Sequence, residues 1–459
     1  MTEFSTYLSQ VVNRRGLKCV QAAEICEIDT SVMFRWLNGR VLPKSWERLQ
    51  QAAQKLRLSP HEMAGLKKAY RKEVLGEEQS RSFDVILELI QSLGEAKSEN
   101  SNQTVNMPFV CEIHLRPIAD GEKFLKLSNK TAVWLCIENV LAAMPISPMG
   151  KLLIKLNDLP EIFLMQLKQL CSRMSAGKLE LLIIGSSIED TAQYKLIRLK
   201  ELVALLLAGS KNKISCYSLW NVPESVKQNW MLLDDIFLQF SEDMSQGMMT
   251  KDAEWADFFR ENFEEMKDRC RPLERKETGF FEFLNGKKPD NPERIVFLQY
   301  MPYGSIAAAQ RILKEDDFYK NPKEVQYISC FTKEGLAEYL QTGDEAGLPD
   351  SSICSLDRRQ RYQALGQMIS LAEQETAVHY IMFKENTLDL RGICVKCDSI
   401  KSVSLCLEIC PEESKWEEIA INDADIRQEF ERFFECLPES GLAYGEEETL
   451  KVMKEMVQG

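Results

Sequence analysis

Residues 17–39 read LKCVQAAEICEIDTSVMFRWLNG, which predicts two short helices separated by a turn of a few residues. Ala23 supplies the small side chain that two steeply crossing helices need where they touch. Asp29 is a favourable N-cap for the second helix, and Asn38-Gly39 offers it a left-handed end. The apolar residues that fill the core between the two helices are Ile28, Val32 or Met33, and Trp36. This geometry directs the second helix outwards, as in proteins that place it in a major groove.

Three further helices are predicted around this pair, so that residues 1–75 form an all-α domain. The first helix carries an apolar stripe at helical spacing, made of Phe4, Tyr7, Leu8, Val11 and Val12. The fourth runs from about Ser45 to Leu56. The fifth opens at Ser59-Pro60, where Glu62 stands three residues after the serine and completes a capping box.

The segment resembles the Cro and phage-repressor type of helix-turn-helix domain, the family of xenobiotic-response-element regulators in bacteria. The resemblance covers about 70 of the 459 residues. The matching features are Ala23, Ile28, the run Arg35-Trp36-x-Asn38-Gly39, Pro43, and Leu58-Ser59-Pro60. At two positions the sequence differs from the family pattern: Glu27 stands where glycine is usual in the turn, and Cys19 where glutamine usually begins the second helix.

The resemblance implies which side chains would contact DNA. The residues expected to face the bases are Thr30, Ser31, Phe34 and Arg35. Arg35 could bind a guanine through two hydrogen bonds, and Phe34 could touch a thymine methyl group. The residues expected to hold phosphates are Lys18, Asn38, Arg40 and Lys44, with Lys18 taking over from the absent glutamine. A five-helix domain that binds protein, with Trp36 serving only as core, stays open as the alternative.

Charge is distributed unevenly along the chain. The first 80 residues carry 13 Lys and Arg against 9 Asp and Glu, a net charge of +4, which leaves −17 on the rest of a chain whose total is −13. A basic segment joined to an acidic remainder is typical of a nucleic-acid-binding module on a body that does not bind nucleic acid.

Beyond residue 75 the pattern changes from helices alone to helices and strands. Residues 83–93 predict one amphipathic helix, and either this helix or the body is expected to join two copies of the chain. Residues 94–103 are small and polar, as in a linker. The predicted architecture is multidomain: an all-α helix-turn-helix domain (1–75), a helix and polar linker (76–105), an α/β domain with mostly parallel strands (106–245), a helical connector (246–290) and an α+β C-terminal domain (291–459). The strands predicted in the body include Ala132–Ile137, Lys151–Leu156, Leu179–Ile184, Lys213–Leu219 and Arg294–Gln299.

Other side-chain patterns have structural explanations. Cys394-x-x-Cys397 with Cys406-x-x-x-Cys410 suggests zinc, but alternating apolar neighbours favour core cysteines in a hairpin. Leu181–Ser187 reads as a strand entering a small-residue turn, either a plain connection or a weak anion cradle. The pairs Asp234-Asp235 and Asp316-Asp317 read as solvated helix starts. With three histidines and no hydrolase, zinc-protease or kinase motif, we expect no catalytic residue, no metal and no cofactor.

These observations predict a sequence-specific DNA-binding transcriptional regulator with a C-terminal body that senses or oligomerises. Its expected partners are double-stranded DNA, a second copy of the chain, and a small-molecule or peptide effector. The alternative is an enzyme or defence effector whose helix-turn-helix serves autoregulation or protein docking. No run of 18 apolar residues and no signal peptide is present, and the 14 cysteines are spread along the chain, so we expect a cytoplasmic protein with reduced thiols and no membrane contact.

Overall fold

A computed structural model describes most of the chain and divides it into two compact units. The described residues are 2–99, 124–144, 150–157, 160–173, 177–186, 191–208, 214–222, 228–270, 272–273, 275–279, 283, 294–302, 326–343, 357–374, 378–400, 402–410 and 415–458. The first unit comprises 1–88, 284–403 and 427–459, and the second comprises 89–283 and 404–426. The five consecutive segments expected from the sequence stay a prediction.

The described residues form helices and strands throughout, and the prediction of a mixed α/β multidomain protein is confirmed. The helices are α1 (Glu3–Arg14), α2 (Cys19–Cys26), α3 (Thr30–Leu37), α4 (Trp46–Lys55), α5 (Pro60–Leu75), α6 (Glu77–Glu99), α7 (Lys130–Ala143), α8 (Glu161–Arg173), α9 (Ala192–Ala208), α10 (Ala253–Lys267), α11 (Lys333–Thr342), α12 (Arg358–Gln374), α13 (Ala424–Cys436) and α14 (Glu446–Gln458). The strands are β1 (Phe124–Leu127), β2 (Lys151–Leu156), β3 (Lys178–Ser186), β4 (Ile214–Val222), β5 (Asn229–Leu233), β6 (Ile236–Phe240), β7 (Gly247–Thr250), β8 (Arg275–Thr278), β9 (Arg294–Gln299), β10 (Gln326–Thr332), β11 (Val378–Phe383), β12 (Ile393–Asp398), β13 (Val403–Cys410) and β14 (Lys415–Ile421).

Helices α1–α5 form the head of the first unit, and the expected all-α N-terminal part is confirmed. Its buried core is made of Phe4, Leu8, Val12, Ala22, Ala23, Cys26, Met33, Trp36, Trp46, Leu49, Ala52, Ala53, Leu56, Leu66 and Tyr70. The capping box forms, because Ser59 Oγ accepts a hydrogen bond from the Glu62 backbone N–H and the Glu62 carboxylate accepts one from the Ser59 backbone N–H. Arg15 pairs with Glu62 at 2.7 Å and lowers the pKa of that carboxyl to about 2.

Helix α6 is longer than expected and corrects two predictions. Residues 94–99, assigned to a linker, continue the helix, since Glu, Ala and Lys extend a helix once it is nucleated. Residues 100–103 lie outside the described part. The apolar face expected to join two copies of the chain is buried within this one, and the Phe83 ring lies 4.6 Å from that of Phe433 on α13. This face is therefore core.

The head is anchored to the rest of the first unit through α4. The Trp46 ring packs so closely on Gly441 that a methyl group there would lie 2.3 Å from Trp46 Cγ. Glu47 forms an ion pair with Lys384 at the end of β11. The Lys67 ammonium lies 5.5 Å from the Trp46 ring centre, and its burial, with the positive charges of Arg71 and Lys384, lowers its pKa to about 8.

In the remainder of the first unit, strands β9, β10 and β11 pair in parallel. Strand β12 pairs antiparallel with β9, in the order β11-β10-β9-β12. Phe430, Phe433 and Phe434 on α13 are buried, as is Leu437 just after the end of this helix.

The second unit contains a seven-stranded sheet in the order β1-β7-β6-β5-β2-β3-β4. Only the β2-β3 and β3-β4 neighbours are parallel, so the expectation of mostly parallel strands is wrong. The antiparallel half comes from a β5-β6-β7 meander, whose first turn contains Asp234 with φ 53°. Asp234-Asp235 is thus a hairpin turn instead of a helix start, and Asp316-Asp317 lies outside the described residues.

A second correction concerns Ala132–Ile137, which is part of helix α7 instead of a strand. Asn129 begins this helix, since its side chain accepts a hydrogen bond from the Ala132 backbone N–H at 2.9 Å. Within the described residues, no helix is both long and apolar enough to cross a membrane.

Candidate nucleic-acid interface

The turn between α2 and α3 consists of three residues, Glu27, Ile28 and Asp29. Glu27 adopts the left-handed conformation (φ 54°, ψ 41°), the backbone geometry for which glycine is usual at this position. The Ile28 N–H then bonds to the Ala23 carbonyl at 2.9 Å and closes the end of α2. The glutamate therefore permits the short turn between α2 and α3, and its carboxylate pairs with Lys55 on α4 at 2.5 Å.

Asp29 caps α3, as predicted. Its Oδ1 accepts a hydrogen bond from the Ser31 backbone N–H at 2.7 Å. The Ser31 hydroxyl and N–H hold the pKa of the Asp29 carboxyl below its ordinary value. The cap fixes where α3 begins and therefore which of its side chains face outwards.

Helix α3 has two distinct sides. Met33 and Trp36 are buried in the head core, with Trp36 only 2% exposed. The four residues predicted to face bases are all exposed on the other side: Thr30, Ser31, Phe34 and Arg35. Residues spaced in this way share one helix face. The sequence therefore located the outward face of α3 correctly, while the contact of its residues with bases stays a prediction.

Two of these side chains are held by local contacts. Arg35 donates a hydrogen bond from Nε to the Ser31 carbonyl at 3.2 Å, which directs its guanidinium along the helix surface. The Phe34 ring is 48% exposed, and the Arg40 guanidinium lies 5.8 Å from its centre.

The four predicted phosphate ligands are also exposed: Lys18, Asn38, Arg40 and Lys44. They lie just before α2 and just after α3. Asn38 uses one amide N–H to bond the Phe34 carbonyl at 2.8 Å, which leaves its second amide N–H for another acceptor. Cys19 is half-buried with its sulfur 4.0 Å from the Thr30 carbonyl, and burial raises the pKa of its thiol. It packs between α2 and α3.

Arg48 is a candidate that the sequence analysis missed. It is exposed in the first turn of α4, and its guanidinium lies 5.9 Å from the centre of the Trp36 ring. Arg48 follows Lys44 by four residues, and both come after the end of α3. This spacing was the sequence signal that could have identified Arg48 as a further candidate. Arg48 therefore extends the basic border of the exposed α3 face.

The remaining patterns of the sequence do not converge on a site. Cys394, Cys397 and Cys406 are buried strand residues, and burial raises the pKa of the Cys397 thiol to about 12. Among the described residues, no group of three or more His, Cys, Asp or Glu side chains is arranged to hold a metal ion. His379 pairs with Glu446, and His114 lies outside the described residues, as does the turn after Ser186.

No protein-family model matches the chain, and no curated protein matches it significantly. Similar solved structures include TrmBL2, an archaeal chromatin protein with a novel mode of DNA binding (10% identity, 58% of this chain and 93% of that chain, TM-score 0.23). Others are polyphosphate kinase from Porphyromonas gingivalis (9%, 67% and 48%, 0.24) and phosphatidylserine synthase from Haemophilus influenzae Rd KW20 (9%, 73% and 93%, 0.23). Likeness at these TM-scores establishes neither fold nor function.

Proposed function

We propose that the head binds double-stranded DNA by placing the exposed face of α3 in a major groove, as a helix-turn-helix. The observation that carries the proposal is the division of α3 into a buried side, with Met33 and Trp36, and an exposed side. The exposed side offers two hydroxyls, one aromatic ring and one guanidinium, which can read base edges and a thymine methyl group.

The charges around this face support the same proposal. The exposed cations that border it are Lys18, Arg40, Lys44 and Arg48. Phosphate contacts of this kind fix the position of a protein on DNA, whereas base contacts select the sequence. Because the chain beyond residue 80 carries a charge of −17, attraction to DNA would depend on these local cations.

We propose further that the protein is a transcriptional regulator of the Cro and xenobiotic-response-element type, without enzymatic activity, whose body senses an effector or assembles copies of the chain. One head of this size covers a single half-site, so a homodimer on a palindromic site is the expected complex. Because the apolar face of α6 is buried within one chain, the dimer contact would come from another surface.

Protein docking by the head is the second candidate function, and a separate observation supports it. Val20, Phe34 and Val41 are exposed apolar side chains of the head, at 61%, 48% and 44%. Exposed apolar side chains can contribute to protein-binding surfaces. An enzyme or defence effector that uses its head for docking would present such groups.

The decisive experiment selects binding sites for the full-length protein from a random duplex library and then titrates the preferred site and a scrambled site. Arg35→Ala is expected to remove about 1–3 kcal/mol of discrimination between the two, since a bidentate base contact is lost. Arg14→Ala is the matched control, because it removes an exposed arginine of the same head from α1. It should leave the preference unchanged.

One result would contradict the proposal, and another would correct only the role of Arg35. If no sequence is enriched and Phe34→Ser abolishes capture of a protein partner, the head is a docking module. If a sequence is enriched but Arg35→Ala retains the full preference, DNA binding holds and Arg35 is not among the residues that read bases.

A further inference from the structure

A groove on the surface of the first unit lies between the start of α12 and the end of α14. The groove is open to solvent and has a volume of about 660 Å³. The residues that line it are Arg358, Arg359, Tyr362, Gln363 and Val457. All five belong to well-defined helices of one compact unit.

The two arginines of the groove differ from most others in the acidic body. Seven arginines of the described residues beyond α6 form ion pairs with a carboxylate: Arg198, Arg260, Arg275, Arg294, Arg391, Arg427 and Arg432. Arg358 and Arg359 are exposed, and within the described residues neither has a carboxylate within 4 Å. In a chain with a net charge of −13, two adjacent guanidiniums without carboxylate partners mark a place suited to an anion.

The rest of the groove is suited to an apolar group. The Arg358 guanidinium lies 5.9 Å from the centre of the half-buried Tyr362 ring. Val457, 37% exposed, forms the opposite wall, and Gln363 adds an amide at the edge. The nearby carboxylate of Asp357 is occupied in capping α12, where it accepts a hydrogen bond from the Gln360 N–H at 2.8 Å.

We propose that this groove binds a small organic anion, in which a phosphate or carboxylate group contacts Arg358 and Arg359 and an apolar body lies between Tyr362 and Val457. Guanidinium groups match both oxyanions through paired hydrogen bonds. The positive end of the α12 dipole, at Arg358, adds to the attraction. Such a site lies outside the head, and its ligand would be a small organic anion instead of DNA.

Calorimetric titration of the full-length protein, without DNA, tests this proposal with phenyl phosphate, benzoate, inorganic phosphate and phenol. Phenyl phosphate and benzoate should bind more tightly than inorganic phosphate, and phenol should not bind detectably. The double variant Arg358→Gln/Arg359→Gln should weaken the binding of phenyl phosphate about tenfold or more, because charge-assisted hydrogen bonds are lost. Lys451→Gln, which removes an exposed cation from α14, is the matched control and should bind like the wild type.

Val457→Ser tests the contact with the apolar part of the ligand separately from the contact with its anionic group. It should weaken phenyl phosphate several-fold and leave inorganic phosphate unchanged. The proposal is overturned if the wild type binds neither organic anion, if the double variant binds phenyl phosphate as well as the wild type, or if Lys451→Gln loses as much affinity as the double variant. Equal affinity for phenyl phosphate and inorganic phosphate would overturn the apolar half of the site.

Discussion

Glu27 illustrates how one residue can satisfy a backbone requirement that its type disfavours. Its left-handed conformation costs a residue with a Cβ about 1–2 kcal/mol, a cost that glycine avoids. The ion pair with Lys55 is exposed and offsets little of this cost, since exposed pairs contribute about 0–1 kcal/mol. The turn between α2 and α3 therefore forms despite its sequence, because the cores of the two helices require it.

Replacing this residue should stabilise the head. Glu27→Gly is expected to raise the free energy of unfolding by about 0.5–1 kcal/mol, after the greater freedom of glycine in the unfolded chain is included. The measurement is hydrogen exchange of the α2 and α3 amides in the full-length protein. Glu24→Gly, an exposed glutamate inside α2, is the control and should lose about 1 kcal/mol. Destabilisation by both variants would show that Glu27 is not strained.

At the scale of elements, the contact between α4 and Gly441 should be sensitive to a single methyl group. Gly441→Ala places Cβ against Trp46 and also strains a backbone with φ +74°. Gly16→Ala introduces a comparable strain at φ +66°, with nothing within 4 Å of the new atom. We expect Gly441→Ala to cost about 1–3 kcal/mol more than the control, the usual range for overpacking.

The readout is hydrogen exchange of the α4 amides in the full-length protein. These amides should lose protection in Gly441→Ala and keep it in Gly16→Ala. Equal losses would mean that strain alone acts and that Trp46 is not held by the turn at Gly441.

The sequence predicts elements well where caps and periodicity agree, and poorly where an apolar run stands alone. Strand β9 matches its predicted bounds, Arg294–Gln299, because a short β-rich run lies between polar residues. Helix α7 was missed because Ala132–Ile137 is apolar on every side and fits a buried strand equally well. The N-cap Asn129 was the signal that separated the two, and it lay just outside the run.

The β5-β6-β7 meander was missed for a different reason. Two buried strands flank Asp234-Asp235, and a two-residue turn of this kind predicts a hairpin when the flanking runs are read as strands. Reading the acids as a helix start hid both strands. The parallel order of β2, β3 and β4 was recovered because each pair is separated by a helix.

At the scale of the whole molecule, the local features of the candidate site could be predicted from the sequence, whereas the long-range contacts around it could not. The outward face of α3 was predictable because one helix and its cap decide which residues point away from the core. The anchoring of the head through Trp46 and Gly441, nearly 400 positions apart, was not, since no local pattern records which surface covers a tryptophan. The groove between α12 and α14 also depends on residues far apart in the sequence, since Val457 lies opposite Arg358 and Arg359.

The uneven charge of the molecule predicts how its affinity for DNA depends on salt concentration. With few local phosphate contacts, each contributes about −0.9 to the slope of log affinity against log salt. Two heads with about three contacts each should give a slope of about −5, and one head about −3. Fluorescence anisotropy of the full-length protein on its selected site, from low to moderate salt, measures this slope.

Arg40→Glu should flatten the slope and weaken all sequences alike, because its expected role is a phosphate contact. Arg35→Ala, by contrast, should reduce the preference for the selected site over a scrambled site. A slope near zero in the wild type would mean that the head does not contact phosphates, and docking would then be the better explanation.

The discontinuity of the first unit sets an order on its folding during synthesis. The head is made before the segments that cover Trp46 and Phe83, because these segments belong to residues 427–459. At about 5–20 residues per second, those two aromatic surfaces stay uncovered for tens of seconds. A nascent chain of this protein therefore carries exposed apolar surface on its head until residues 427–459 are made. It should bind chaperones until α13 and the turn at Gly441 cover that surface.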